Sequence, residues 1–207
     1  MNLTIHQSEV LLMRSIFFLF FTILLTLPLS ILHSKTVNYP PRFVEKAEKK
    51  EIVTSIRVTT EEDKKQSLDY QVMGLHPQSC ASSFRILSRY ENFPHYLSFL
   101  KKSQYNEKTN DLALVFDSEL LPFPLYLNFK LPRIRGVGDY PFTFPTGFFP
   151  GLKGIIHVRD HSQMRCLIYV EATWTGDKSK IASSVLEIFL ITISKQGMEK
   201  LIRISTL

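Results

Sequence analysis

From about Leu112 onward, apolar residues recur at every second position. Leu112, Leu114 and Phe116 form one row, with Val115, Asp117 and Glu119 opposite. Leu125, Leu127, Phe129 and Leu131 form the next, followed by Tyr140, Phe142 and Phe144, then by Ile156 and Val158. The clearest row is Cys166, Ile168, Val170, Ala172 and Trp174, with Arg165, Glu171 and Thr173 turned the other way. A period of two marks a strand with one buried face, and several such rows separated by turn residues predict an antiparallel meander. Upstream, Leu68–Leu75 fits a further strand closed by His76-Pro77.

Past Thr175-Gly176-Asp177 the period becomes helical. On a helical wheel Ile181, Ala182, Val185, Leu186, Phe189 and Ile193 fall within about 140° of one another, the stripe expected of a docked helix. Lys180, Ser183, Glu187 and Ser194 lie opposite, and Ile188, Leu190 and Ile191 lie off the stripe. This helix is expected to continue past Gly197 to about Arg203, as the longest element of the domain. Two short helices are expected after the first strand. Ser79 or Ser82 caps one that carries Phe84, Ile86 and Leu87, and Asn92 caps a second turn through Phe93-Pro94.

Three segments follow from the change of pattern along the chain. In residues 1–34, Arg14 precedes the apolar run Ile16–Leu27, which Pro28 ends, the layout of a secretory signal peptide. Counted to Leu32 the run is about 17 residues, the lower limit for a membrane span, so an uncleaved anchor over residues 16–32 is the alternative. Residues 35–66 are charged, with Glu45-Lys-Ala-Glu-Lys-Lys-Glu51 and Glu61-Glu-Asp-Lys-Lys65, and read as a solvated linker. Within it Ile52, Thr54, Ile56 and Val58 alternate as an edge strand would. Residues 67–207 form the ordered domain. The chain is therefore expected to be exported, to the periplasm or the medium, free or held at a membrane.

Composition narrows the function classes. The net charge of +6 is spread along the chain with no run of four cations, and a nucleic-acid binder would gather it on one face or stripe. Nucleic acid is not an expected partner; a weak preference for an anionic membrane surface is easier to reconcile with this charge. Sixteen Phe against one Trp point to a large apolar interior. Two cysteines, Cys80 and Cys166, are too few for a disulfide scaffold. Cys166, in the apolar row of a strand, reads as a small buried hydrophobe, and the sequence does not decide whether the two meet.

Catalytic and metal chemistry find little footing. His157, Asp160 and His161 have a zinc-pair spacing only on a helix, whereas they read as strand and turn, so no metal site is expected. No Gly-x-Ser-x-Gly elbow and no phosphate-binding glycine loop occurs. Tyr126, Arg133, Arg135, Asp139 and Glu171 are the polar side chains available to an enzyme, but alternation and turns put them on the surface. No catalytic residue and no cofactor is assigned.

The segment Phe84-Arg-Ile-Leu-Ser-Arg-Tyr-Glu-Asn-Phe-Pro-His-Tyr-Leu-Ser-Phe99 resembles the first-helix region of START-like (SRPBCC) proteins of the polyketide cyclase and coenzyme Q-binding group. Leu87, Tyr90, Phe93 and Pro94 match that pattern, and Arg89 stands where the family usually has Asp. Gly197-Met-Glu-Lys-Leu-Ile202 looks like part of the family's final helix. The likeness covers about Ser67 to Thr206. It implies an α+β helix-grip fold, in which a curved antiparallel sheet wraps a long C-terminal helix and two short helices follow the first strand. It also implies an apolar cavity between sheet and helix, for which the candidate lining is Leu127, Phe129, Phe142, Phe144, Ile168, Val170, Trp174, Val185, Phe189 and Ile193. The expected function is binding of a lipid, quinone or other apolar small molecule. A cyclase or dehydratase on a bulky apolar substrate, and a solid interaction module, are the alternatives.

Overall fold

The computed structural model describes residues 39–61 and 65–206. The expected signal or anchor segment therefore lies outside the described residues. Among those residues no helix is long and apolar enough to cross a membrane.

Eight strands make one antiparallel sheet: β1 (Val53–Thr60), β2 (Lys65–His76), β3 (Leu100–Asn106), β4 (Asp111–Phe116), β5 (Leu125–Lys130), β6 (Gly138–Gly147), β7 (Lys153–His161) and β8 (Arg165–Asp177). Their order is β1-β2-β8-β7-β6-β5-β4-β3, so the meander β3 to β8 closes against the first two strands. The helices are α1 (Pro41–Glu48), α2 (Cys80–Leu87), α3 (Phe93–Tyr96) and α4 (Ser183–Ile204). With α4 gripped by the curved sheet and α2 and α3 between β2 and β3, this is the helix-grip architecture.

The rows of alternating apolar residues form the inner face. On β8, Cys166, Ile168, Ala172 and Trp174 are buried on that side, and β2 contributes Leu68 and Val72 beside them. Gly74 continues the β2 row beneath Met198 and Ile202 of α4. A Cβ there would lie 3.0 Å from Met198 Cγ of the helix and 3.0 Å from Ile52 Cδ1. A larger residue would have to push these side-chain ends aside by a few tenths of an ångström.

Several expectations are revised. In the charged segment 35–66 the expected edge strand is present as β1, at the edge of the sheet, whereas α1 was not expected, and the compact unit starts at Tyr39. Phe43 and Ala47 of α1 are buried on the outer face of the sheet against Val53, Met73, Leu167 and Tyr169. β8 is thus covered on both faces, which is why Cys166-Leu-Ile-Tyr-Val170 is an unbroken apolar run rather than an alternation. β3 was not expected at all. Its LKKSQYN sequence has one large aliphatic residue, Leu100, with Tyr105 near its end, and a bulge between Leu100 and Lys102 breaks its register.

Cys80 and Cys166 are joined in a disulfide that ties the start of α2 to β8. The reading of Cys166 as a free buried hydrophobe is corrected. Its burial is real, at 0% exposed, but Cys80 enters the same apolar cluster from α2. Ser79 caps α2 through its hydroxyl, which accepts from the Ser82 amide at 3.4 Å. Asn92, by contrast, makes no side-chain cap for α3.

The α4 stripe is also revised. The helix starts at Ser183, so Ile181 and Ala182 precede it. Its buried face carries Leu186, Phe189, Leu190 and Gly197. Relative to the stripe drawn from Ile181, the face is turned toward Leu190, which brings Leu190 and Ser194 inward and leaves Val185 39% exposed.

Loops and edges are held by specific bonds. Gln66 is wholly buried; its amide donates to Ile181 O at 3.0 Å and its carbonyl accepts from the Ser179 amide at 2.9 Å. This fixes the link from β8 to α4. Glu187 of α4 accepts from the Val58 amide at 2.8 Å, which satisfies a backbone donor on edge strand β1. His76 is buried at the end of β2, with Nε2 2.8 Å from Ser205 Oγ and Nδ1 2.7 Å from Ser83 Oγ. It joins the strand to both α2 and the C-terminal end of α4.

Candidate functional site

Between the sheet and α4 lies a cavity of about 180 Å³. Its wall is assembled from six strands and one helix. β5 and β6 contribute Leu127, Phe129, Phe142 and Phe144; β7 and β8 contribute Ile156, Val170 and Ala172. Phe116 closes one side, and Phe149 and Leu152, in the turn between β6 and β7, close another. α4 forms the remaining wall with Leu190, Ile193 and Ser194, facing Leu68 and Tyr70 of β2.

The aromatic wall follows from the local sequence. Phe129 packs on Phe144 with ring centroids 4.0 Å apart and on Phe142 at 6.1 Å. Phe142 can lie against the sheet because its neighbour on β7 is Gly154. A Cβ there would fall 2.7 Å from Ala172 Cβ and on top of Phe142 Cζ. Phe149 reaches back from the turn to Trp174, edge-on at 5.1 Å, while the Trp174 indole donates to Pro150 O at 3.0 Å. The Phe-rich stretch Phe142–Pro150 is therefore folded inward rather than left as an exposed patch.

Six of the ten expected lining residues reach this cavity: Leu127, Phe129, Phe142, Phe144, Val170 and Ile193. The other four do not. Ile168 packs beneath α2 in the cluster of Cys80, Cys166 and Val158. Trp174 and Phe189 are core residues, the latter edge-on to Phe116 at 6.4 Å. Val185 sits on the outward side of α4.

Two lining residues carry polar atoms, Tyr70 and Ser194, and their hydroxyl oxygens are 2.8 Å apart. Burial pushes the Tyr70 hydroxyl above the ordinary phenol range, and the Ser194 bond only partly offsets this. Sequence reading missed both. Tyr70 shares the row of Leu68 and Val72, a signal that was present; Ser194 gave none, because the wheel put it on the polar side.

None of the five polar side chains considered for catalysis lines the cavity. Tyr126 is 61% exposed. Arg133 is stacked over the Tyr105 ring at 4.4 Å and paired with Glu107 at 2.6 Å, where Arg135 also binds. Asp139 and Glu171 flank His157 on the outer face, at 2.6 Å and 3.4 Å. His157 is buried there, stacked on Tyr169. Among the described residues no cluster of three or more His, Cys, Asp or Glu could hold a metal.

The matched motif residues are structural. Tyr90 is buried, and its hydroxyl accepts from the Ile134 amide at 3.0 Å and donates to Pro132 O at 3.4 Å. Arg89, the departure from the pattern, is exposed.

No family model matches the chain, and no curated protein matches it. Solved structures do. A START superfamily protein from Mycobacterium smegmatis superposes with a TM-score of 0.51 at 10% identity, over 66% of this chain and 95% of that one. The fold is START-like. The Zhui aromatase/cyclase from a Streptomyces species matches at a TM-score of 0.57 and 8% identity, over 68% and 94% of the two chains. XoxI from Bacillus cereus matches at 0.51 and 13% identity, over 67% and 95%. The START-like fold is thus shared with a named START protein and with an aromatase/cyclase, and identities this low carry the fold alone.

Proposed function

We propose that this START-like domain binds a small apolar molecule in the cavity between its sheet and α4, and that it does so as an exported protein. The observation that carries the reading is the cavity itself. Fourteen of its sixteen lining residues are hydrocarbon or aromatic, with Tyr70 and Ser194 the exceptions, and a concave, mostly apolar lining with a few convergent polar groups is the character of a small-molecule site.

Its size limits the occupant. Pockets for drug-sized ligands run from about 300 Å³ upward, whereas an apolar cavity of about 150 Å³ takes benzene. A single ring or a short acyl segment matches about 180 Å³; a fused multi-ring polyketide or an intact lipid does not, unless the walls move. Binding is favoured over catalysis because Tyr70 is the one titratable side chain in the lining, and burial pushes its hydroxyl up, away from a working acid or base near neutral pH.

Export draws support from the Cys80–Cys166 disulfide, since such bonds persist in oxidising compartments and are rare in reducing ones. The signal-like stretch Ile16–Leu27 fits the same route. Native mass spectrometry of protein purified without detergent tests the binding reading. An apolar adduct released by organic extraction is expected. A bare protein mass, with no thermal upshift from any ring-sized apolar compound, would overturn it. For export, the intact mass of protein from the periplasm or medium is expected to carry the disulfide; recovery of reduced protein in the cytoplasm alone would contradict it.

A further inference from the structure

The Tyr70–Ser194 pair is a polar point in an otherwise apolar chamber: of the sixteen lining residues, these two carry side-chain hydroxyls and the rest are hydrocarbon or aromatic. A serine in or at the end of a helix can turn its hydroxyl back on a carbonyl of the preceding turn, as the C-capping serines of α4 and α2 do. Ser205 does so, donating to Leu201 O at 2.6 Å, and Ser88 donates to Phe84 O at 2.5 Å. Ser194 instead reaches across the cavity rim to Tyr70, 2.8 Å away.

Two hydroxyls hold two protons, and a mutual hydrogen bond uses one of them. Whichever oxygen donates within the pair, the other keeps an O–H with no partner in it. An unmet donor in apolar surroundings costs about 1–3 kcal/mol, and a ligand acceptor removes that cost. The lining carries no Lys, Arg or His to balance an anion and no carboxylate to balance a cation, so a charged guest would lose its hydration without return.

We infer that Tyr70 and Ser194 form a ligand-recognition element that donates one hydrogen bond to a neutral guest bearing a carbonyl-type acceptor on an apolar, ring-sized body. This rests on the cavity being a binding site, and the test separates the two. Acetophenone, its hydrocarbon isostere α-methylstyrene, and benzoate are titrated into the wild-type protein and into Tyr70→Phe/Ser194→Ala. Removing both partners of a hydrogen bond together is close to neutral for folding, so the double variant keeps its structure.

Acetophenone is expected to bind the wild type about three- to tenfold more tightly than the double variant, the worth of one neutral hydrogen bond. α-Methylstyrene is expected to bind both proteins alike, and benzoate neither. In the wild type the carbonyl stretch of bound acetophenone should move to lower wavenumber than in hexane, a readout that needs no variant. Equal affinity of both proteins for acetophenone, with an unshifted carbonyl, would overturn the recognition element and leave the cavity reading intact. Failure of both neutral compounds to bind the wild type would overturn the cavity reading itself. Tight benzoate binding would overturn the neutrality of the guest.

Discussion

At the scale of single residues, two groups, one buried and one at the surface, tie stability to pH in separate windows. His76 lies wholly inside the protein, and burial pushes its pKa below the ordinary imidazole range, with a backbone hydrogen bond at Gln78 opposing part of that shift. Its folded pKa is lower than its unfolded one, near 6.5. The unfolded chain therefore takes up the proton first as pH falls, and stability is lost from about pH 6.5 down toward the folded value. The melting temperature should drop between pH 7.5 and 5.5, and His76→Gln should flatten that drop while leaving the slope below pH 4. An unchanged slope would show that His76 is not the sensor. Asp139 acts lower. Burial alone would raise its pKa, but hydrogen bonds from His157 and Arg159 outweigh this and lower it. Its contribution is present above the usual carboxylate value, about 3.9, and is lost as pH falls through the lowered one.

At the scale of elements, α2 and α1 make measurable contributions. The Cys80–Cys166 bond spans a sequence separation of 86 residues, and in the chain-entropy account such a loop is worth about 4–5 kcal/mol. Unfolding by urea under reducing conditions, or of Cys80→Ala/Cys166→Ala, should show a loss of a few kcal/mol; coincident curves for oxidised and reduced protein would contradict it. Phe43 of α1 is 2% exposed against the outer face, and Phe43→Ala should cost about 3 kcal/mol by the same measurement. A change within experimental error would mean that α1 is detached from the sheet in solution.

These elements also mark where the sequence was legible. Rows with one buried face, such as Leu112-Leu114-Phe116 and Cys166–Trp174, could be read because a period of two leaves an alternating signature. α1 could not, since Phe43 and Ala47 are two apolar positions within a charged stretch, enough to dock one helical face but too few to stand out. β3 is held by backbone pairing to β4 and by a Ser103 hydroxyl donating to Tyr90 O at 2.6 Å, neither of which leaves an apolar pattern. The face of α4 was misjudged by a small rotation, because Ile181 was counted as helix. That rotation decided whether Val185 or Ser194 met the cavity, so the strand-borne half of the lining was read more accurately than the helix-borne half.

At the scale of the whole molecule, the proposed function requires that the space between the sheet and α4 stay open for an apolar guest. A domain that maximised packing would fill it. Val170→Phe places an aromatic ring in the cavity and should keep or raise the melting temperature while excluding ligand, the trade expected where a void serves function. The most direct measurement is a titration of ¹³C-methyl-labelled protein with α-methylstyrene, followed on the methyl resonances of Leu127, Val170, Leu190 and Ile193. Saturable shifts concentrated on these four residues, and abolished in Val170→Phe at unchanged stability, are the result predicted. Shifts scattered over exposed methyls such as Val137 and Ile188, or none at all, would contradict it.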